Sequence, residues 1–218
     1  MPTDEEQVVR KVVYLTFDDG PCARTPELLE MLKREEVHAT FFLVGRSLTD
    51  FPDEVRAIRE GGHAIGSHSF YHNKKALSTQ IGFLRDRERF QEKLSEVFGE
   101  PTEVRLFRFP FGSGWTTSQT RRFASDCGYL WIDWNASSDD TKPNMGVQKQ
   151  MEAALRTSRN KNEIVLLMHE NKAPTISMLP ELLQSYRDAG YVFDVLAPDL
   201  GRMIPGVRMG LPSEQREP

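Results

Sequence analysis

Short apolar runs alternate along the chain with stretches whose apolar residues recur every three or four positions. The short runs are "VVYLTF", "ATFFLVG", "HAIGSH", "RLFRF", "YLWIDWN", "EIVLLMHE" and "YVFDVLA", and they predict buried strands. The periodic stretches predict helices. "TPELLEMLKREEV" has Thr25 as N-cap and Pro26 in its first turn, and "FPDEVRAIREGG" is stopped by paired glycines. A longer helix runs from Thr79 to Phe98, with Ile81, Leu84, Phe90, Leu94 and Val97 as its apolar stripe. "TSQTRRFASDCG", "GVQKQMEAALRTSR" and "ISMLPELLQSYRDAG" complete the set. Seven strands separated by six helices argue for an α/β fold with parallel strands and crossover helices. Both an open doubly wound sheet and a closed barrel satisfy that pattern. The expected organisation is an N-terminal extension over 1–10, one catalytic-size domain over 11–199, and a polar, Pro-rich tail over 200–218.

Composition narrows the function classes. At 218 residues the chain can bury a sizeable core, and its net charge of −4, with no basic cluster, argues against nucleic-acid binding. No stretch is long and apolar enough to span a membrane. Cys22 and Cys127 form no disulfide framework or metal motif by spacing. The opening segment "MPTDEEQVVRK" lacks the apolar core of a secretory signal.

Polar punctuation falls at the ends of the predicted strands: Asp18-Asp19, His68, Arg108, Asp139-Asp140 and His169. In both candidate architectures ligands bind at the C-terminal strand ends. Adjacent carboxylates such as Asp18 and Asp19 suit a turn, but they also suit a division of labour in which one binds metal and the other moves a proton. "SHSFYH" places His68 and His72 four residues apart, which on a helical turn puts both imidazoles on one face. Two histidines and one carboxylate leave metal positions open for water and substrate. Arg108, before the turn "FPFG", can fix the direction of an anion, and Asp18 is the candidate. His169 ends an apolar strand, and a carboxylate beside it such as Asp140 would raise its pKa and keep it protonated as a general acid.

These motifs together resemble the polysaccharide deacetylases of carbohydrate esterase family 4. "TFDDGP", "HSFYH", "RFPFG", "DWNASSDD" and "LMH" occur in the family's order from Thr16 to His169, and similar text extends to about Ala197. The resemblance implies a single-domain distorted (β/α)7 barrel. It implies Asp18 as catalytic base, Asp19, His68 and His72 as metal ligands, and Arg108 as the residue that orients the base. It further implies His169 as catalytic acid, Asp140 as the carboxylate that tunes it, and Leu167 as part of the pocket for the acetyl methyl. The cofactor implied is one divalent metal, zinc by preference, with cobalt, nickel or manganese as alternatives.

"FRFPFGS", "IDWNASSDD" and "LMHE" resemble the peptidoglycan N-acetylglucosamine deacetylase branch more than the xylan or chitin branches. The expected partner is therefore a polysaccharide, with release of acetate. The parent protein is expected outside the cell or in the envelope, with a signal or anchor upstream of this sequence; a cytoplasmic protein is the alternative. A chitooligosaccharide or acetylxylan deacetylase, a same-fold amidohydrolase of small amides, and a non-catalytic sugar-binding module are the rival readings. Three positions depart from the family pattern. Thr141 follows Asp140 where tryptophan is usual, which leaves Trp134 as the candidate wall of the acetyl pocket. Phe111 replaces a common tyrosine, keeping the backbone N–H for an oxyanion but not the hydroxyl. Cys22 stands where a small polar residue is commoner.

Overall fold

Along the first strand, β1 (Val12–Gly20), side chains alternate between two cores. Val13, Leu15 and Phe17 pack outward under the helices, whereas Val12 and Tyr14 pack inward with Phe42, Leu106, Leu130, Ile132 and Val165. A strand buried on both faces carries a continuous apolar run rather than an alternating one, which is how "VVYLTF" reads. The computed structural model describes residues 10–215. The expected N-terminal extension, apart from Arg10, and the last three tail residues lie outside the described residues.

The chain continues through α1 (Thr25–Arg34), β2 (Thr40–Leu43), α2 (Pro52–Glu60), β3 (Ala64–Ser67), the single turn α3 (Lys74–Leu77) and α4 (Gln80–Phe98). It then forms β4 (Leu106–Phe107), α5 (Ser118–Asp126), β5 (Leu130–Ile132) and β6 (Ala136–Ser137). The remaining elements are α6 (Val147–Ser158), β7 (Glu163–His169), α7 (Ala173–Asp188), β8 (Val192–Asp194) and β9 (Met209–Gly210). The sheet order is β6-β7-β1-β2-β3-β4-β5-β9, parallel except for β9, which runs antiparallel to β5. One edge of β1 is shared: β8 pairs with Val12–Tyr14 and β2 with Thr16–Gly20. The segment 130–137 pairs with β4 at its start and with β7 at its end, so one stretch of chain draws the two sides of the curled sheet together. This is the single-domain α/β architecture expected, a distorted (β/α)7 barrel.

Several expectations change in detail. Arg24 rather than Thr25 occupies the N-cap of α1; the Thr25 hydroxyl accepts from Cys22 N (2.9 Å) and donates to Glu170 Oε1 (3.1 Å). On α4 the buried face is Phe83, Asp86, Phe90 and Leu94, while Ile81 is 65% and Leu84 38% exposed. The two phenylalanines, three-four spaced with Asp86 between them, outcompete the aliphatic pair nearer the helix start. The strand expected over 129–135 stops at Ile132 because Arg108 takes the carbonyls of Ile132 and Asp133 (3.1 Å each), and pairing resumes only at β6. Within the described part of the tail, Ile204, Val207 and Met209 join the inner core and β9 extends the sheet.

Candidate active site

In a regular strand, neighbours such as Asp18 and Asp19 point to opposite faces. Here the pairing of β1 with β2 runs Asp18↔Phe42 and then Gly20↔Leu43, so Asp19 is the extra residue of a bulge. Asp19 has φ +71°, a conformation a side-chain-bearing residue adopts only where the surroundings impose it. The bulge turns the Asp19 carboxylate toward the same mouth that Asp18 faces: His68 Nε2 lies 3.7 Å from Asp18 Oδ2 and 3.7 Å from Asp19 Oδ1. Without it, alternation would send Asp19 outward toward the helices.

Arg108 follows β4 and is fully buried inside the barrel. Its five-donor fork is used on fixed acceptors: Nη1 donates to Asp18 Oδ1 (2.9 Å) and to Thr16 Oγ1 (2.7 Å), while Nε and Nη2 take the carbonyls of Ile132 and Asp133. Its guanidinium also stacks over the Phe42 ring, 4.1 Å from the centroid. Phe42 can lie there because position 66 is glycine; a Cβ on Gly66 would sit 2.5 Å from the ring. One oxygen of Asp18 is thus committed to Arg108 and the other is left toward the mouth.

The histidine pair is not on a helix. His68 and His72 flank a loop after β3 in which Ser69 (φ +70°) and His72 (φ +53°) take left-handed backbone, and this fold brings the two rings to 4.9 Å. Asp86 of α4 holds the loop from below, accepting from Ser69 Oγ (3.1 Å), Phe70 N (2.9 Å) and Tyr71 N (3.4 Å). Burial pushes the Asp86 carboxyl up to about 6, against the lowering effect of those hydrogen bonds. His68 Nδ1 faces the Arg108 carbonyl at 2.9 Å, so that nitrogen carries the proton and Nε2 keeps its lone pair. His72 has a lowered pKa, through burial first and then the neighbouring His68 imidazole, which also favours a free lone pair.

The residues fit a divalent metal. One ligand atom each from Asp19, His68 and His72 lies within 4.8 Å of the others. Donors sharing one zinc-sized ion at about 2.1 Å in tetrahedral geometry stand about 3.4 Å apart. Asp19 Oδ1 is 3.3 Å from His72 Nε2 and 3.7 Å from His68 Nε2, too long for good hydrogen bonds and close to that spacing. Two nitrogens and one oxygen, with Asp19 and His72 partly open to solvent, are an open three-ligand set of the catalytic kind.

Across the mouth, Asp18 is in register with His169 at the end of β7. Asp140 Oδ1 lies 2.8 Å from His169 Nδ1, and Asp140 Oδ2 accepts the His169 main-chain N–H (2.6 Å) with the Thr175 hydroxyl 3.0 Å away. Burial alone would lower the pKa of His169; the hydrogen bond that its ring donates to Asp140 and the charges of Asp18, Asp140 and Asp19 outweigh it, and the net direction is upward. The other ring nitrogen, Nε2, points into the site, 3.9 Å from Asp19 Oδ2. Asp139 turns away (φ +58°) and pairs with Lys142 and Arg156 instead.

Phe111 has φ +66° and is 62% exposed, with its ring 4.7 Å from that of His72. Among the described residues the Phe111 N–H has no protein acceptor. The loop carrying it is anchored by Asp133, which accepts from Ser113 N (2.9 Å) and Ser113 Oγ (2.6 Å). Leu167 shares the inward row of β7 with Val165 and His169, and Trp134 lies between Arg108 (5.8 Å to its ring) and Gly112. All ten residues singled out from sequence therefore gather at one end of the barrel. Sequence reasoning missed Thr16, Asp86, Asp133, Thr175 and Glu170, which hold the others in place. Glu170 is fully buried behind Gly20, where a Cβ would lie 1.6 Å from its Oε1, and burial pushes its carboxyl up to about 8. The spacing Phe83-Asp86-Phe90 on a helix was the available signal for Asp86.

Known proteins are similar to this chain in sequence and in fold. A family model described as "Polysaccharide deacetylase" matches residues 5–132. The peptidoglycan-N-acetylglucosamine deacetylase of Bacillus cereus is 32% identical over 190 residues, covering 85% of this chain and 69% of that protein. A CE4 esterase of Streptococcus mutans superposes with TM-score 0.79 at 33% identity, over 86% of this chain and 87% of that one. A polysaccharide deacetylase of Bacillus cereus superposes with TM-score 0.76 at 31% identity, over 86% and 93% respectively.

Proposed function

Because the chain belongs to the polysaccharide deacetylase family, we propose that it hydrolyses N-acetyl groups of N-acetylglucosamine units in peptidoglycan, releasing acetate. The observation that carries this reading is the division between the two bulged carboxylates: Asp18 is tied to Arg108, and Asp19 faces two imidazoles. Asp19, His68 and His72 would hold the metal, for which we propose zinc. When bound, such an ion polarises an amide carbonyl and acidifies water.

The chain's own groups would then do the following. Asp18, its Oδ1 fixed by Arg108, uses Oδ2 to take a proton from the attacking water. The Phe111 N–H donates to the oxygen that becomes negative in the tetrahedral species. His169 carries a proton on Nε2, which faces the mouth, and passes it to the departing amine. Asp140 holds that imidazole in place and loaded. Leu167 and Trp134 supply apolar surface for the acetyl methyl.

Both carboxylates are required because one must carry the negative charge opposite the imidazoles while the other stays free to move a proton. A peptidoglycan substrate places the working protein in the cell envelope, and among the described residues no helix is long and apolar enough to cross a membrane. The test is acetate release from peptidoglycan, chitooligosaccharide, acetylxylan and a panel of small amides. Release from N-acetylglucosamine polymers is expected; turnover of small amides alone would overturn the reading.

A further inference from the structure

Phe111 sits in a turn that its side chain disfavours. Gly112 N donates to Phe109 O (2.9 Å), closing a four-residue turn with Pro110 second and Phe111 third. Proline keeps φ at about −65° in the second position, and Phe111 has φ +66° in the third. That combination is a type II turn, whose third position is normally glycine or asparagine. A type I turn over the same four residues would put Phe111 at about −90°, free of that strain, and it accepts proline in the second position as well. The two turns differ by a flip of the peptide plane between Pro110 and Phe111, the plane that carries the Phe111 N–H.

One side chain grips the other end of that plane. Trp115 Nε1 donates to the Pro110 carbonyl at 2.7 Å. The Pro110–Phe111 peptide is trans, so its C=O and N–H point in opposite directions. Whatever holds the carbonyl therefore aims the N–H, which leaves on the side away from the indole. An indole N–H can only donate, so a flipped plane would turn a second donor toward it and leave both unpaired. The Trp115 ring is itself held, packing edge-on against Phe109 with centroids 6.1 Å apart. Two residues earlier, Ser113 is anchored to Asp133 through its N (2.9 Å) and Oγ (2.6 Å).

We propose that Trp115 is a positioning residue, which selects the peptide orientation that presents the Phe111 N–H to the oxyanion. This rests on the deacetylase reading, in which that N–H is the chain's own donor to the tetrahedral species. Trp115 acts through the Pro110 carbonyl and not on the reacting atoms. The carbonyl is gripped before any substrate arrives, so the donor needs no reorganisation during the reaction. An oxyanion donor works on the transition state, so a loss of aim lowers kcat and leaves KM nearly unchanged.

The experiment replaces Trp115 in two ways. Trp115→Phe keeps an aromatic ring against Phe109, and benzothienylalanine at the same position keeps the indole's shape with sulfur in place of the N–H. The turn is read in the free protein by the NOE between Pro110 Hα and the Phe111 amide proton, which is strong in a type II turn and weak in type I. The wild type should show it strongly, and both variants should lose most of it. On peptidoglycan, kcat should fall about 10- to 100-fold in both, part of the roughly 10²–10³-fold that a whole oxyanion donor contributes, with KM within about twofold. A strong NOE in both variants would overturn the proposal, as would a weakened NOE with unchanged kcat. Losses confined to Trp115→Phe would also overturn it, since Trp115 would then act by packing and not by its N–H. The NOE requires no turnover, so the two readings fail separately. If the variants lose the NOE while the wild type releases no acetate, the grip on the plane stands and deacetylation falls; acetate release with the NOE intact in both variants does the reverse.

Discussion

Asp140 grips His169 at two points, with Oδ1 2.8 Å from the ring Nδ1 and Oδ2 accepting the main-chain N–H at 2.6 Å. The ring is thereby fixed in position and tautomer, and its pKa is raised despite burial. A general acid must be protonated in the free enzyme, so the alkaline limb of kcat/KM reports it. Asp140→Asn should move that limb to lower pH, because the acid would discharge earlier, and metal content should not change. Asp139→Asn should leave the limb in place, since Asp139 pairs with Lys142 and Arg156. A limb that follows Asp139 and not Asp140 would refute the assignment.

Asp18 and Asp19 are neighbours with separate tasks, and substitution should separate them. Asp18→Asn keeps the shape that Arg108 binds but cannot accept a proton from water. It should retain metal and lose turnover by about 10²–10⁴-fold. His68→Ala should lose metal and activity together, read by elemental analysis of dialysed protein. If Asp18→Asn lost its metal as well, Asp18 would be a ligand.

Asp86 touches neither the substrate nor the proposed metal, yet three hydrogen bonds from 69–71 converge on its carboxyl. Groups that support ligands in this way typically contribute about 10–100-fold to metal affinity. Asp86→Ala should weaken metal binding by that order in a chelator competition, and Asp86→Asn by less, since its carbonyl still accepts. An unchanged affinity in Asp86→Ala would show that the loop holds its shape alone.

Much of this site was readable in the chain because strand ends are marked by abrupt polar residues after apolar runs. Asp18 and His169 lie on the inward rows of β1 and β7, and His68 and Arg108, one residue past the ends of β3 and β4, continue the alternation of those strands. Asp19 was readable as a residue but not as a direction, because only the bulge at Gly20 turns it inward, and that bulge depends on the pairing of β2. The supporting carboxylates were hidden for a different reason. Asp86, Asp133 and Glu170 look like solvated charges in sequence, and their burial is created by partners at least 15 residues away in the chain. How the tail packs was hidden because Ile204, Val207 and Met209 are scattered among polar and proline positions, with no period to give them away.

Glu170 gives a prediction that is independent of turnover. Its carboxyl is buried against Gly20 and Thr25, its Oε2 has no hydrogen-bond partner among the described residues, and its pKa rises from 4.5 to about 8, chiefly through burial. The Thr25 hydroxyl pulls the other way and the charge of Asp19 adds to the rise. The folded chain therefore holds a proton that the unfolded chain releases above about 4.5. By linkage, this group's stability is fully present below that pH and is lost as pH climbs to about 8. Glu170→Gln keeps the shape and the acceptor for Thr25 but cannot ionise. In metal-free protein, the variant should match the wild type near pH 5 and unfold at higher denaturant near pH 8. The gain expected is about 1–3 kcal/mol, the usual cost of an uncompensated buried polar group. Denaturant unfolding of both proteins from pH 5 to pH 9 checks this, and parallel curves across the whole range would show that Glu170 does not titrate in that window.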